Sequence, residues 1–188
     1  MNNIFNSRLS RFMLILLVLG LIIFILGIGE FRDSHATPIN YNTMELSDLK
    51  KNAIVEGDLY YNYGIYEEIQ TKTNGATTST SYRYVIPIGE NGYVGLESAM
   101  QDTISELDKQ TDETYDYIDG KIDSTTSIHF KGKVKKMDKK DYGFYKDFMK
   151  SGGFSDSEIE SVGSEYFIQI RPMNQGPVLL IIGIICFA

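Results

Sequence analysis

The chain has 188 residues, 18 Lys and Arg against 25 Asp and Glu, a net charge of −7 and a single cysteine, Cys186. One cysteine excludes an internal disulfide framework, and the acidic balance disfavours nucleic acid, whose phosphates need a basic surface. No G-x-S-x-G, H-E-x-x-H or P-loop pattern occurs, so no motif names a reaction.

Phe12 to Gly29 reads FMLILLVLGLIIFILGIG, 18 residues without a charge. A run of that length crosses most of a ~30 Å hydrocarbon layer as a helix that satisfies its own backbone. Arg8 and Arg11 precede it without any acid, which predicts a cytoplasmic N-terminus and an exported polar region. A cleaved signal peptide is the competing reading, with Ser34-His35-Ala36 as a small-x-small site. The apolar stretch, however, exceeds the usual ~7–15 residues, and Glu30, Arg32 and Asp33 stand between it and that site. An uncleaved anchor is therefore expected.

Residues 32–176 carry 16 basic and 24 acidic side chains, a net charge of −8, and no tryptophan. Pro38 to Tyr41 reads as a linker and Glu45 to Lys51 as one or two helical turns. Ala53 to Thr73 is β-rich, with Gly57 and Gly64 marking a bulge or bend. Asn74-Gly75 is a hairpin dipeptide inside a polar tip that runs to Ser81. Tyr82, Tyr84, Ile86 and Ile88 alternate as a strand, with Pro87 at an edge position or the strand's end. Asn91-Gly92 begins a second hairpin into YVGL. Met100, Ile104, Leu107, Thr111, Tyr115 and Ile118 then fall on one face of a helix, with Asp108 on the wet face and Gly120 as the stop. Ser127 to Met137 is a strand with Ile128, Phe130, Gly132 and Val134 on one face and His129, Lys131, Lys133 and Lys135 on the other. Asp138 caps a helix over 139–150, and Ser155-x-x-Glu158 is a capping box for a shorter one. EYFIQIRP is the last strand. Gly176-Pro177 then opens the apolar run VLLIIGIICFA. As a helix, Pro177 to Ala188 reaches only about 18 Å, so it reads as a second span, apparently truncated, or as a tail that dips into the bilayer.

Four groups of side chains are candidates for chemistry. Six lysines between Lys131 and Lys140 suit either a solvated edge that resists aggregation or a contact for anionic head groups or wall polymers. Asp112, Glu113, Asp116, Asp119 and Asp123 surround Gly120 but miss the spacing of a calcium loop. His129 lies among lysines, which should disfavour its protonated form, and His35 lies beside the membrane. Tyr60, Tyr61, Tyr63 and Tyr66 suit sheet packing or an aromatic shelf for sugar or peptide. None of these groups is assigned as catalytic, cofactor-binding or metal-binding, and no cofactor is expected.

The N-terminal span, DLYYNYGIYEEIQ, a strand ending YVIPIG, NGYVGLES, HFKGKVKKM and EYFIQIRP together resemble uncharacterised two-span membrane proteins of Clostridia-type Gram-positive bacteria. That resemblance implies a domain of unknown function and transfers no site residue.

The sequence thus predicts a cytoplasmic segment at 1–11, a transmembrane helix at 12–31, an extracytoplasmic α+β domain at 32–176 and a second transmembrane helix at 177–188. The domain is expected to hold a curved antiparallel sheet of five or six strands, one long amphipathic helix and a short helical pair. The expected role is a binding or assembly module at the plasma membrane, partnered by the lipid bilayer and other membrane or envelope proteins. A cell-envelope hydrolase acting on wall polymer or peptide is the alternative.

Overall fold

The computed structural model describes residues 8–172 and 176–185. The first seven residues of the predicted cytoplasmic segment and Cys186 lie outside the described residues. The chain divides into two compact units, one built on the terminal helices and the other spanning Pro38–Arg171.

In the first unit, α1 runs unbroken over Arg8–His35. It outlasts the predicted 12–31 at both ends, and Arg32 lies in its last turn, where positive charge favours the helix dipole. His35 also stacks on Phe31 with ring centroids 4.2 Å apart. Among the described residues this is the one helix long and apolar enough to cross a membrane. Its apolar side chains, including Ile15, Val18, Ile22 and Ile25, are exposed, unlike those of a soluble protein's core helix. The helix α5, Gly176–Ile185, packs against α1. At Gly27 a side chain would lie 2.9 Å from the Leu180 backbone nitrogen, so the small residue sets the approach of the two helices, as between helices in lipid.

Among the described residues of the second unit, seven strands form one sheet: β1 (Ile39–Asn40), β2 (Ile54–Leu59), β3 (Ile65–Thr73), β4 (Ala76–Ile88), β5 (Gly92–Ser98), β6 (Ile128–Lys136) and β7 (Tyr166–Ile170). Their order is β1-β2-β6-β7-β5-β4-β3. The sheet is mixed, which corrects the expected antiparallel sheet of five or six strands. β1 runs parallel to β2, and β7 runs parallel to β5. The predicted linker Pro38–Tyr41 supplies β1, and Tyr41 is buried, donating its hydroxyl to the Pro87 carbonyl. β7 comes last in the chain yet enters between β6 and β5, so its direction is set by tertiary pairing that local patterning does not encode.

Helix α2 (Gln101–Ile118) sends Leu107 into a core with Tyr84, Ile86, Leu96 and Ile168. The alternate residues Val85 and Phe167 pack on the other face against Tyr145 and Met149 of α3 (Lys139–Ser151) and Ile159 of α4 (Asp156–Val162). The unit is therefore three layers, helix on sheet on helices. Both expected caps form. Asp138 accepts from the Lys140 and Asp141 amides, and Ser155 and Glu158 make the capping box. The Asn74-Gly75 turn forms with φ of 52° and 83°, as a two-residue hairpin turn requires. The polar stretch up to Ser81, expected as a flexible tip, is strand paired to β3. Gly57 marks no bulge: it pairs in register with Phe130. A side chain there would meet Tyr41 and Asn42 within 2.8 Å.

The buried face of α2 differs from the predicted stripe. Ile104 and Leu107 are buried, but so are Gln110 and Thr114, while Tyr115 and Ile118 are 50% and 60% exposed. The polar pair is inside because Tyr60 to Gly64, between β2 and β3, has few ladder partners and α2 supplies them. Gln110 Nε2 donates to the Leu59 carbonyl at 2.8 Å, and the Asn62 amide donates to Thr114 Oγ1 at 3.0 Å. Asn62 Nδ2 donates to the Leu107 carbonyl at 2.9 Å, and Tyr115 Oη donates to the Tyr63 carbonyl at 2.9 Å. A buried backbone group left without a partner would be costly, so hydrogen bonding overrides hydrophobic periodicity here.

Candidate functional site: an aromatic cleft

The tyrosine-rich segment splits between two roles. Tyr66 turns into the α3 side of the sheet at a bulge, where β3 shifts register between Ile65 and Glu67. Its ring meets Tyr145 edge-on at 5.5 Å, and burial pushes its phenol up. Tyr61 leans on Tyr117 at 5.4 Å, and Tyr60 is 48% exposed. Tyr63 lines a cleft.

That cleft has a volume of about 300 Å³ and is bounded by Tyr63, Val85, Tyr93, Tyr115, Phe148, Met149, Ser151, Gly152 and Phe154. Backbone bonds fix its floor: the Tyr63 amide donates to the Val85 carbonyl at 2.9 Å, and the Val85 amide to the Gly64 carbonyl at 3.0 Å. One wall comes from the end of α3. Gly153, at φ 95°, reverses the chain. The Phe154 amide then bonds back to the Met149 carbonyl at 3.2 Å. Phe154 returns to meet Tyr93 at 5.4 Å and 70°, and Tyr93 meets Tyr63 at 5.6 Å and 64°. These edge-to-face contacts hold the rings apart and leave π faces open. Tyr145 Oη donates to the Tyr93 carbonyl at 3.0 Å, anchoring the β5 side. The lining holds no carboxylate, ammonium or imidazole. Burial and the neighbouring phenols push Tyr63 up, so it stays a neutral hydroxyl at physiological pH.

Tyrosine density in the sequence points to Tyr63, but not to Tyr93, Tyr115, Phe148 and Phe154. They come from three elements far apart in the chain. Spacing alone puts Tyr115 on the core face of α2, whereas its ring stands in the cleft.

The other candidate groups fall elsewhere. The lysines of β6 do not protect a sheet edge, because β6 lies between β2 and β7, and Lys139 and Lys140 lie in α3. Lys131 pairs with Glu56 at 3.0 Å and Lys136, at the end of the strand, with Glu165 at 2.8 Å, so neighbouring acids partly neutralise these lysines. Around Gly120, Lys121 bridges Asp116 and Asp119, each at 2.9 Å. Glu113 accepts the Thr126 amide at 2.7 Å. No metal-ligand cluster forms among the described residues.

His129 reverses the expectation. Its Nδ1 lies 2.9 Å from Asp58 Oδ1 and its Nε2 3.4 Å from Glu56 Oε1. These β2 carboxylates face it across the sheet, and the hydrogen bond to Asp58 above all raises its pKa. The lysines of its own strand do not set its charge, since the directly opposed residue across a ladder is the closer neighbour. A raised folded pKa means that the folded state holds the proton more tightly. The resulting stabilisation is complete below the ordinary histidine value of about 6.5 and is lost as pH rises through the raised one. The His129 ring protons should therefore titrate above that ordinary value by NMR. His129→Gln should lower stability slightly at pH 5.5 and not at pH 9, whereas a titration below the ordinary value would show that the Asp58 contact is not populated.

A second buried feature lies on the α3 side of the sheet. Arg83 reaches Glu67, Glu97 and Asp141, each at 2.7 Å, with its guanidinium carbon 4.2 Å from the centre of the Phe167 ring. Gln169 Nε2 donates to the second Glu97 oxygen at 2.8 Å. Burial opposes the charge on Arg83, but its bonds to Glu97 and Asp141 outweigh this and raise its pKa. Burial raises Glu67, against the pull of Arg83. With its guanidinium held by three carboxylates of the same domain, the cluster reads as a structural tie between β3, β4, β5 and α3.

No curated protein and no solved structure matches the chain. One family does: residues 3–188 match a domain of unknown function, DUF8577. The terminal helices and the domain between them thus fall within a single family unit, and the chain belongs to that family.

Proposed function

We propose that the protein is a membrane-tethered binding module that presents its aromatic cleft outside the cell and holds a neutral, hydroxyl-bearing polymer such as an envelope glycan. The observation that carries this reading is the lining of the cleft: five aromatic rings and no charged group around about 300 Å³. A charged ligand entering it would lose hydration without an ion partner. A saccharide has apolar C–H faces that stack on aromatic rings and hydroxyls that bond to the phenols of Tyr63, Tyr93 and Tyr115. The apolar helix α1, of the length and apolarity of an anchor or a signal sequence, supports the tether. The arginines before it support export of the domain by the positive-inside rule, and the apolar α5 packed on α1 supports a second contact with the bilayer.

The envelope-hydrolase reading has less support. Ser151 is the one serine of the cleft, and its hydroxyl donates to the Phe148 carbonyl. No base stands among the lining residues to activate it.

The test uses the full chain in a detergent without a sugar head group, titrated with a tetramer of N-acetylglucosamine. With 13 tyrosines and no tryptophan, intrinsic emission reports directly on phenols. Saturable quenching is expected, weakened about fivefold or more by Phe148→Ala, since losing a stacking platform costs about 1–3 kcal/mol. Emission that changes only linearly with sugar, or equally in Phe148→Ala, would defeat the glycan reading.

A further inference from the structure

The two edges of the sheet are unequal. One is β1, only two residues long, and the other is β3, nine residues long. β4 pairs with β5 only from Tyr82 to Ile88, so Ala76 to Ser81 pair with β3 alone. The β3–β4 hairpin is thus a two-stranded arm beyond the rest of the sheet, and the outer side of β3 pairs with no strand. Sheet edges are usually shortened, covered or interrupted by proline. Here Glu68, Gln70, Thr71, Lys72 and Thr73 are all exposed, or nearly so, and no proline interrupts β3.

The geometry points to a second copy of this chain as the partner of that edge, paired antiparallel about a two-fold axis at Gln70. An axis perpendicular to the sheet keeps each residue on its own face, so only residues an even number apart in sequence can oppose each other. With the axis at Gln70, Glu68 faces Lys72 of the second copy and Lys72 faces Glu68, giving two identical cross-strand ion pairs. Glu68, Gln70 and Lys72 share a face by the two-residue period of a strand. Moving the axis by one residue separates the charges. Moving it by two sets Glu68 against Glu68 or Lys72 against Lys72, which is repulsive. The charge pattern therefore selects one register. Gln70 Nε2 already donates to Glu68 Oε1 at 2.9 Å, orienting that carboxylate on the exposed face. Among the described residues, Lys72 makes no ion pair within its own chain. A closed two-fold contact leaves each β3 edge covered, with only the two-residue β1 edges outside it.

The test introduces Gln70→Cys into the full chain carrying Cys186→Ser, in membranes, under mild oxidation. A disulfide-linked dimer is expected, because symmetric pairing brings the two substituted side chains at position 70 face to face, whereas Thr78→Cys on the inner strand should give little. In the uncross-linked chain in detergent, Glu68→Lys or Lys72→Glu should weaken dimerisation by about four- to thirty-fold, by turning two attractive pairs repulsive. The double swap Glu68→Lys with Lys72→Glu should restore it. All three positions are on the open edge, so these variants keep the fold, which circular dichroism verifies. Cross-linking in Thr78→Cys as strong as in Gln70→Cys, adducts only to other proteins, or a double swap no better than the single changes would each overturn the assignment.

Discussion

Replacing Arg83 with methionine should remove about 3–5 kcal/mol of stability, the loss seen when one partner of a buried ion pair is deleted. The cost comes less from lost attraction than from what remains: Glu67, Glu97 and Asp141 would stand in the α3-side core with no cation. Arg83 is itself 7% exposed and stacks on Phe167, so methionine can retain much of the packing. Glu67→Gln should cost far less, because its amide oxygen can still accept from Arg83 and one of the cluster's three negative charges is gone. The pH dependence has a definite sign. The folded pKa of Glu67 is raised, so the native state binds that proton more tightly than the unfolded chain does. Its contribution is present below the ordinary glutamate value of about 4.3 and is lost as pH rises through the raised one. Urea midpoints at pH 5 and pH 8 should therefore lie closer together in Glu67→Gln than in the parent. In Arg83→Met they should lie further apart, since its orphaned acids can protonate only at low pH. Equal losses from the two substitutions would mean that water reaches the cluster.

On the opposite face, Leu107→Ala should cost about 2–5 kcal/mol, from lost burial and a residual cavity. Leu107 is fully buried among Tyr84, Leu96 and Ile168. Its neighbour Asp108 is exposed by position but not inert. The buried Tyr84 donates its hydroxyl to Asp108 Oδ1 at 2.8 Å. Asp108→Ala should thus cost about 1–2 kcal/mol rather than the few tenths usual for a surface change. Tyr84→Phe should cost nearly as much, and the double variant little more than either alone. Additive losses in that cycle would show that the bond contributes nothing.

Local chemistry was readable where neighbours in sequence decide it. The Asn74-Gly75 turn, the caps at Asp138 and Ser155, the alternation of β6 and the existence of α2 all rest on contacts within a few residues. The misreadings share one cause. Ile39 and Asn40 of the expected linker became a strand, the lysines of β6 left the edge, His129 gained a higher affinity for its proton, and Gln110 and Thr114 went inside. Each was decided by a partner remote in the chain, on β2, on β7 or in the segment that follows β2. The cleft was the least legible part for the same reason. Its rings belong to the β2–β3 segment, β5, α2, α3 and the α3–α4 turn, and no spacing rule links those positions.

The hydrogen bonds that hold Tyr60 to Gly64 also constrain the order in which the domain assembles. Asn62 to Leu107 spans 45 residues, Asn62 to Thr114 spans 52 and Gln110 to Leu59 spans 51. None can form until the chain has closed a large loop, whose entropy must be lost before these contacts return anything. Tyr63 and Gly64 also pair with Val85 of β4, so what waits for α2 is the Asn62 end of the segment and the wall of the cleft that Tyr115 supplies. In native-state hydrogen exchange, the Asn62 and Gly64 amides should therefore be released together with the middle of α2, although they lie in no regular element.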